Sequence, residues 1–264
     1  MRLLFLADLH CGNLLGLTPP KWQSEATSTL TRPVWDWYAA TLKEIGPVDV
    51  LVVNGDAVDG DGHRETLGQL TTDTKEQAEM AAECLGLVKA GRRYMTHGTP
   101  YHVVGSCDFE ELVAEYVGAQ IQDTLLLDAN GLRMNVRHVA GRSDIPYGQG
   151  TQIAKESVRD LIQAMQEERE PADWTVRAHV HYWIKVEFDG KLAVSLPCLQ
   201  VPDSIFGRRC RAMYYTLGMA LAEVDEKGRG SIELVKMPLR FVRKREYIQC
   251  GVTARKSRSR SAKS

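Results

Sequence analysis

No two of the six cysteines form a C-x-x-C pair. Cys11, Cys84, Cys107, Cys198, Cys210 and Cys250 are scattered without the spacing of a disulfide framework, which excludes a fold stapled by bridges and points to a reducing compartment. Long apolar runs are missing too. The opening stretch, MRLLFLADLH, is apolar for about one strand length and then meets Asp and His, too short for a signal peptide or a membrane span. A cytoplasmic protein with no membrane partner is expected. There is no internal repeat, and the only biased segment is the end of the chain. With 264 residues, 44% hydrophobic and 25% charged, one large domain can bury its own core.

The net charge of −1 conceals an asymmetry. From Leu239 onward there are nine Lys/Arg and one acidic residue, against 24 basic and 33 acidic residues before it. An acidic body, residues 1–238, is therefore expected to carry a basic tail, residues 239–264. The segment ARKSRSRSAKS reads as a solvated, partly disordered terminus, compatible with contact to nucleic acid.

Apolar runs alternate with helical patterns in the first half. Strands are expected over 2–7, 48–53 and 92–97, and helices over 34–44, 73–90 (capped by Gly91) and 108–117. The second half is richer in strands, at 132–140, 175–180, 183–190 and 191–197. It also carries a helix over 153–170, a hairpin turn at FDGK and a second hairpin over 219–237. Such alternation implies largely parallel sheets covered by helices, and two sheets packed face to face accommodate all the strands.

Polar residues collect where strands end. Asp8 and His10 follow the first strand, Asp56 follows the second, and the turn Gly98-Thr99-Pro100-Tyr101-His102 follows the third. His138 lies on or just after a later strand, and His179 and His181 follow another. Ligands of open α/β sheets bind beyond the carboxyl ends of strands, so these segments are expected to converge. Histidine with carboxylate and no cysteine suits Mn, Zn, Fe or similar ions. On the expectation that the backbone stays extended, Asp8 with His10, and His179 with His181, each present two side chains to one side. Taken singly, D-x-H and H-x-H are weak signals, and the order of the blocks is the stronger one.

That order resembles the calcineurin-like metallophosphoesterases, whose blocks run D-x-H, G-D-x-x-D, G-N-H-[DE], an isolated His and G-H-x-H. The chain shows Asp8-Leu9-His10, Gly55-Asp56-Ala57-Val58-Asp59, Gly98-Thr99-Pro100, His138 and Ala178-His179-Val180-His181. The resemblance implies an αββα sandwich of two mixed β-sheets with two divalent metal ions, Mn first, with Zn, Fe, Ni or Mg as alternatives. It implies that Asp8, His10 and His181 hold one ion, that Asp56 bridges, and that His138 and His179 hold the other, with Asp59 orienting its neighbours. The implied activity is hydrolysis of a phosphate ester by metal-activated water. A phosphodiester in a nucleic acid or nucleotide is preferred to a monoester or phosphoprotein, and the alternative is a catalytically weak nucleic-acid-binding protein.

The third block departs from the family. Thr99 stands where an Asn would ligate the second ion, and Pro100 stands where a His would assist the leaving group. His102, two residues later, is the expected substitute, as acid ahead of ligand, with Thr99 completing the metal shell weakly or leaving the place to water; the shift resembles the motif drift of viral and phage-type members. His97, inside the preceding strand, is expected to be structural. His63 and Arg142 are expected to be solvated, although Arg142 could also reach a phosphate.

Overall fold

A computed structural model of the chain describes residues 1–25, 28–60, 68–100, 108–143, 145–201 and 215–238. The first sheet contains β1 (Arg2–Leu6), β2 (Val48–Asn54), β3 (Ala90–Thr96), β4 (Gln120–Gln122), β10 (Gly218–Val224) and β11 (Gly230–Lys236). The second contains β5 (Leu125–Ala129), β6 (Leu132–Val136), β7 (Trp174–Arg177), β8 (Ile184–Phe188) and β9 (Lys191–Ser195). Helices α1 (Ser28–Ile45), α2 (Thr74–Gly86) and α3 (Phe109–Val117) precede β5 in the chain, and α4 (Pro146–Gln166) lies between β6 and β7.

The sheet orders are β11-β10-β1-β2-β3-β4 and β5-β6-β7-β9-β8. β1 to β4 run parallel, as do β6, β7 and β9, while β10, β11, β5 and β8 pair antiparallel. Both sheets are therefore mixed, with parallel centres.

The continuous apolar runs of β1 and β2 reflect burial on both faces. Alternate residues Leu3, Phe5, Val50 and Val52 meet Met134, Val136, Val176 and Val194 in the core between the sheets. Their neighbours Leu4, Leu6, Leu51 and Val53 pack outward with Val34 and Tyr38 of α1 and with Met80 and Ala81 of α2. On the other side α4 closes the second sheet through Ile153, which clusters with Ala193, Val180 and Tyr182. The layers are thus helices, sheet, sheet, helix. A buried ion pair of Glu156 on α4 with Arg177, the last residue of β7 (3.1 Å), fixes that strand end.

Local signals placed most ends. Asp73 caps α2 by accepting from the backbone N–H groups of Lys75 and Glu76, and Asp108 caps α3 through Glu110 N–H. The FDGK hairpin is present, with Asp189 and Gly190 both at positive φ as a two-residue turn requires. One expectation needs correction. α2 ends at Gly86, and Gly91 is a residue of β3 and not a cap. The β5–β6 hairpin, turning at Asn130-Gly131, was not anticipated, although Asn-Gly is the strongest hairpin signal. No helix among the described residues is long and apolar enough to cross a membrane. The tail from residue 239, His63 and His102 lie outside the described residues.

Candidate metal centre

Five parallel strands, β1, β2, β3, β6 and β7, end at the same side of the two sheets, and their following loops carry the predicted residues. The loops continue the strand pairing for a few residues. Asp8 N–H donates to Gly55 carbonyl (3.1 Å), His10 N–H to Asp56 carbonyl (2.9 Å) and Ala178 N–H to His138 carbonyl (2.8 Å).

The six predicted ligands come together as two groups. Asp8, His10 and His181 form one, and Asp56, His138 and His179 the other, with one donor atom from each member within 4.8 Å of the rest of its group. The groups are neighbours. Asp56 Oδ2 is 3.0 Å from His138 Nε2 and 3.9 Å from His10 Nε2, and Asp8 Oδ1 is 3.3 Å from His181 Nε2 and 4.0 Å from His138 Nε2. Asp8, Asp56 and His138 are buried, at 0%, 2% and 1% exposure, whereas His179 and His181 are half-buried and form the mouth.

The convergence does not arise from an extended backbone. Asp8, His10, Asp56, His179 and His181 all have positive φ, between 47° and 71°, and they are five of the eight such non-glycine residues described. The left-handed region costs an L residue of order 1–3 kcal/mol, and its concentration here marks a site whose geometry is imposed by its surroundings. At Gly55, also left-handed at φ 72°, a Cβ would fall 2.5 Å from the His138 ring, so glycine lets the Asp56 loop and His138 approach.

Outer partners orient the rings. His138 Nδ1 donates to the Asn54 carbonyl (2.7 Å), which leaves Nε2 facing Asp56. His10 Nδ1 lies 3.2 Å from Asp59 Oδ1, so Asp59 stands behind a donor and not among the donors. Glu110, at the start of α3, is buried and joins two loops: Oε1 accepts from Ala57 N–H (2.6 Å) and Oε2 from Gly98 N–H. Sequence reasoning missed Glu110, whose position reads only as an acidic first helical turn.

Charge balance shows what the centre needs. Burial acts against a charged His138, yet the Asp56 and Asp8 carboxylates lift it to about 9. Burial would raise the Asp8 carboxyl, but the His181 and His138 rings outweigh it and hold it below its usual range. His181 is likewise raised against burial by Asp8. Burial, and then the charge of His138, lowers His179. Asp8 Oδ1 is buried with no hydrogen-bond partner, although two imidazoles flank it. Two carboxylates and four imidazoles aimed at common points fit divalent cations, which would satisfy these lone pairs.

The remaining predicted residues lie apart. His97 is caged by carboxylates, with Nδ1 3.0 Å from Asp123 and Nε2 3.7 Å from Glu111, as expected of a structural residue. Arg142 is exposed in the loop after β6.

No protein-family model matches the chain, and no curated protein matches it. Solved structures similar to it include a single-mutant Vps29 from Entamoeba histolytica, at 15% identity and TM-score 0.43 over 90% of this chain and all of that one. Wild-type Vps29 complexed with zinc, from the same organism, is similar at 13% identity and TM-score 0.44 over 89% and 99%. A novel archaeal phosphodiesterase is similar at 10% identity and TM-score 0.44 over 89% and 100%. Identities this low assign no chemistry, which rests instead on the donor geometry of the chain itself.

Proposed function

We propose that the chain is a divalent-metal-dependent phosphoesterase that hydrolyses a phosphodiester in a nucleic acid or a nucleotide. The observation that carries this is the convergence of six donors into two adjacent Asp-His-His groups at the shared end of two parallel-centred sheets. Asp8, His10 and His181 would hold one ion and Asp56, His138 and His179 the other, with manganese expected first. When bound, a pair of such ions supplies Lewis-acid charge to phosphoryl oxygens and lowers the pKa of water.

The chain's own groups set the stage for that chemistry. Asp8 and Asp56 form a buried floor, and each lies within 4.0 Å of a histidine of the other group, so the two groups act as one centre. Asn54 and Asp59 fix the His138 and His10 rings so that their Nε2 atoms present lone pairs inward. The half-buried His179 and His181 leave the centre open to an entering ester. Proton transfer to the leaving group is assigned to His102, because Pro100 has no ionisable group. The basic end of the chain, nine Lys/Arg against one acidic residue from Leu239, supports a polyanionic substrate.

The test is manganese-dependent hydrolysis of bis-para-nitrophenyl phosphate beside para-nitrophenyl phosphate. The diester should show the higher kcat/KM, and Asp56→Asn should lower its turnover by at least about 10²–10³-fold. Undiminished turnover in Asp56→Asn contradicts the function. A faster monoester overturns the diester preference alone.

A further inference from the structure

Thr99 stands at the centre of the second group. Its Oγ1 lies 3.2 Å from Asp56 Oδ2, 3.3 Å from His138 Nε2 and 3.1 Å from His179 Nδ1. A hydroxyl has one proton and two lone pairs, so it can donate to only one of these three neighbours. His138 Nδ1 donates to the Asn54 carbonyl, so the neutral ring, the form that binds a cation, presents its Nε2 lone pair to the same space. The hydroxyl oxygen thus sits beside one donor atom of every member of the second group, the position of a further donor to a cation held there.

The backbone is arranged to deliver this hydroxyl. Threonine reaches one bond from Cβ, a bond less than the side-chain oxygen of asparagine, so its turn must come closer. It does: Thr99 N–H donates to Asp56 Oδ1 at 2.6 Å, and a Cβ on Gly98 would fall 2.2 Å from the same oxygen. Only glycine fits there. Glu110 locks the approach by holding Gly98 N–H on one carboxylate oxygen and Ala57 N–H on the other, which ties the Thr99 turn to the Asp56 loop.

We propose that the Thr99 hydroxyl is the fourth protein donor of the second metal group, kept in reach by Glu110 as a positioning residue. The proposal rests on the metal-dependent function above and adds a ligand type, a neutral alcohol on a close-set turn. The turn is set close for the shorter side chain, so an amide one bond longer should not reproduce the position of this donor.

The test is calorimetric titration of the full-length, chelator-treated protein with Mn²⁺, with the melting temperature of each metal-free variant measured alongside. Wild type should bind two ions. Thr99→Val should bind the first as wild type does and the second about 10–100-fold more weakly, a loss on the scale of a displaced ligand support. Thr99→Ser should restore the second affinity, and Thr99→Asn should not. Thr99→Ala replaces the valine variant if that chain fails to fold. Glu110→Gln should weaken the second ion and leave the first unchanged, an asymmetry that general destabilisation would not produce. Two ions bound with wild-type affinity by Thr99→Val or Thr99→Ala overturn the ligand role of Thr99, and so does equal weakening in Thr99→Ser. Fewer than two ions in wild type overturn the two-ion assignment, and this proposal with it.

Discussion

The two donor groups have the same composition, one aspartate and two histidines, but are assembled differently. The first takes Asp8 and His10 from one loop and His181 from another, and Asp59 stands behind it as an outer carboxylate. The second takes Asp56, His138 and His179 from three separate loops, and a fourth loop brings the Thr99 hydroxyl among them. A site gathered from more loops needs more binding between those loops, which Glu110 and the close packing at Gly55 and Gly98 supply. Equal donor sets can therefore rest on unequal scaffolds, and the scaffolds are where the groups can be separated by mutation.

The largest expected effect erases the distinction. Asp56 Oδ2 faces His138 and approaches His10, so Asp56→Asn should disturb both groups, in keeping with the loss of diester turnover expected for it. A smaller effect should isolate the first group. Asp59→Asn removes the carboxylate behind His10 and should weaken the first ion by about 10–100-fold while sparing the second, as read by the same Mn²⁺ titration. Equal weakening of both ions would show that the scaffolds are not separable.

The most modest effect concerns Glu110, on the second scaffold. Burial and the neighbouring Asp56 charge push its carboxyl up to about 8, against the Ala57 N–H bond and the His138 charge, with Asp108 adding to the rise. A folded-state pKa raised above the unfolded one gives stability that is full below about 4.5 and is lost as pH rises through about 8. Denaturant melts of the metal-free protein across that window should show this loss, and the wild-type slope should exceed that of Glu110→Gln by up to one proton. Identical slopes would remove Glu110 as a buried titrating support.

Much of this was legible in the sequence, for identifiable reasons. The runs LLFL (residues 3–6) and VLVV (residues 50–53) are apolar at every step because both faces are buried, which identified parallel strands between layers. The order of the strand-end blocks named the six donors that converge. The backbone device was not legible. An extended D-x-H would place two side chains on one side, but Asp8 and His10 converge through left-handed φ values of 51° and 47°, a strain that only the surrounding fold enforces. Glu110 carried no local signal either, because its partners lie 12 and 53 residues away, whereas Thr99 was marked by its place in the third block and only its neighbours were hidden. Asn130-Gly131 does carry a local signal, since both residues sit at positive φ as a tight hairpin turn requires.

The central claim is that the two groups form one two-ion centre. Elemental analysis of the protein after equilibration with Mn²⁺ and removal of free ion tests it most directly. About two divalent ions per chain are predicted. A chain that retains one ion or none would contradict the account.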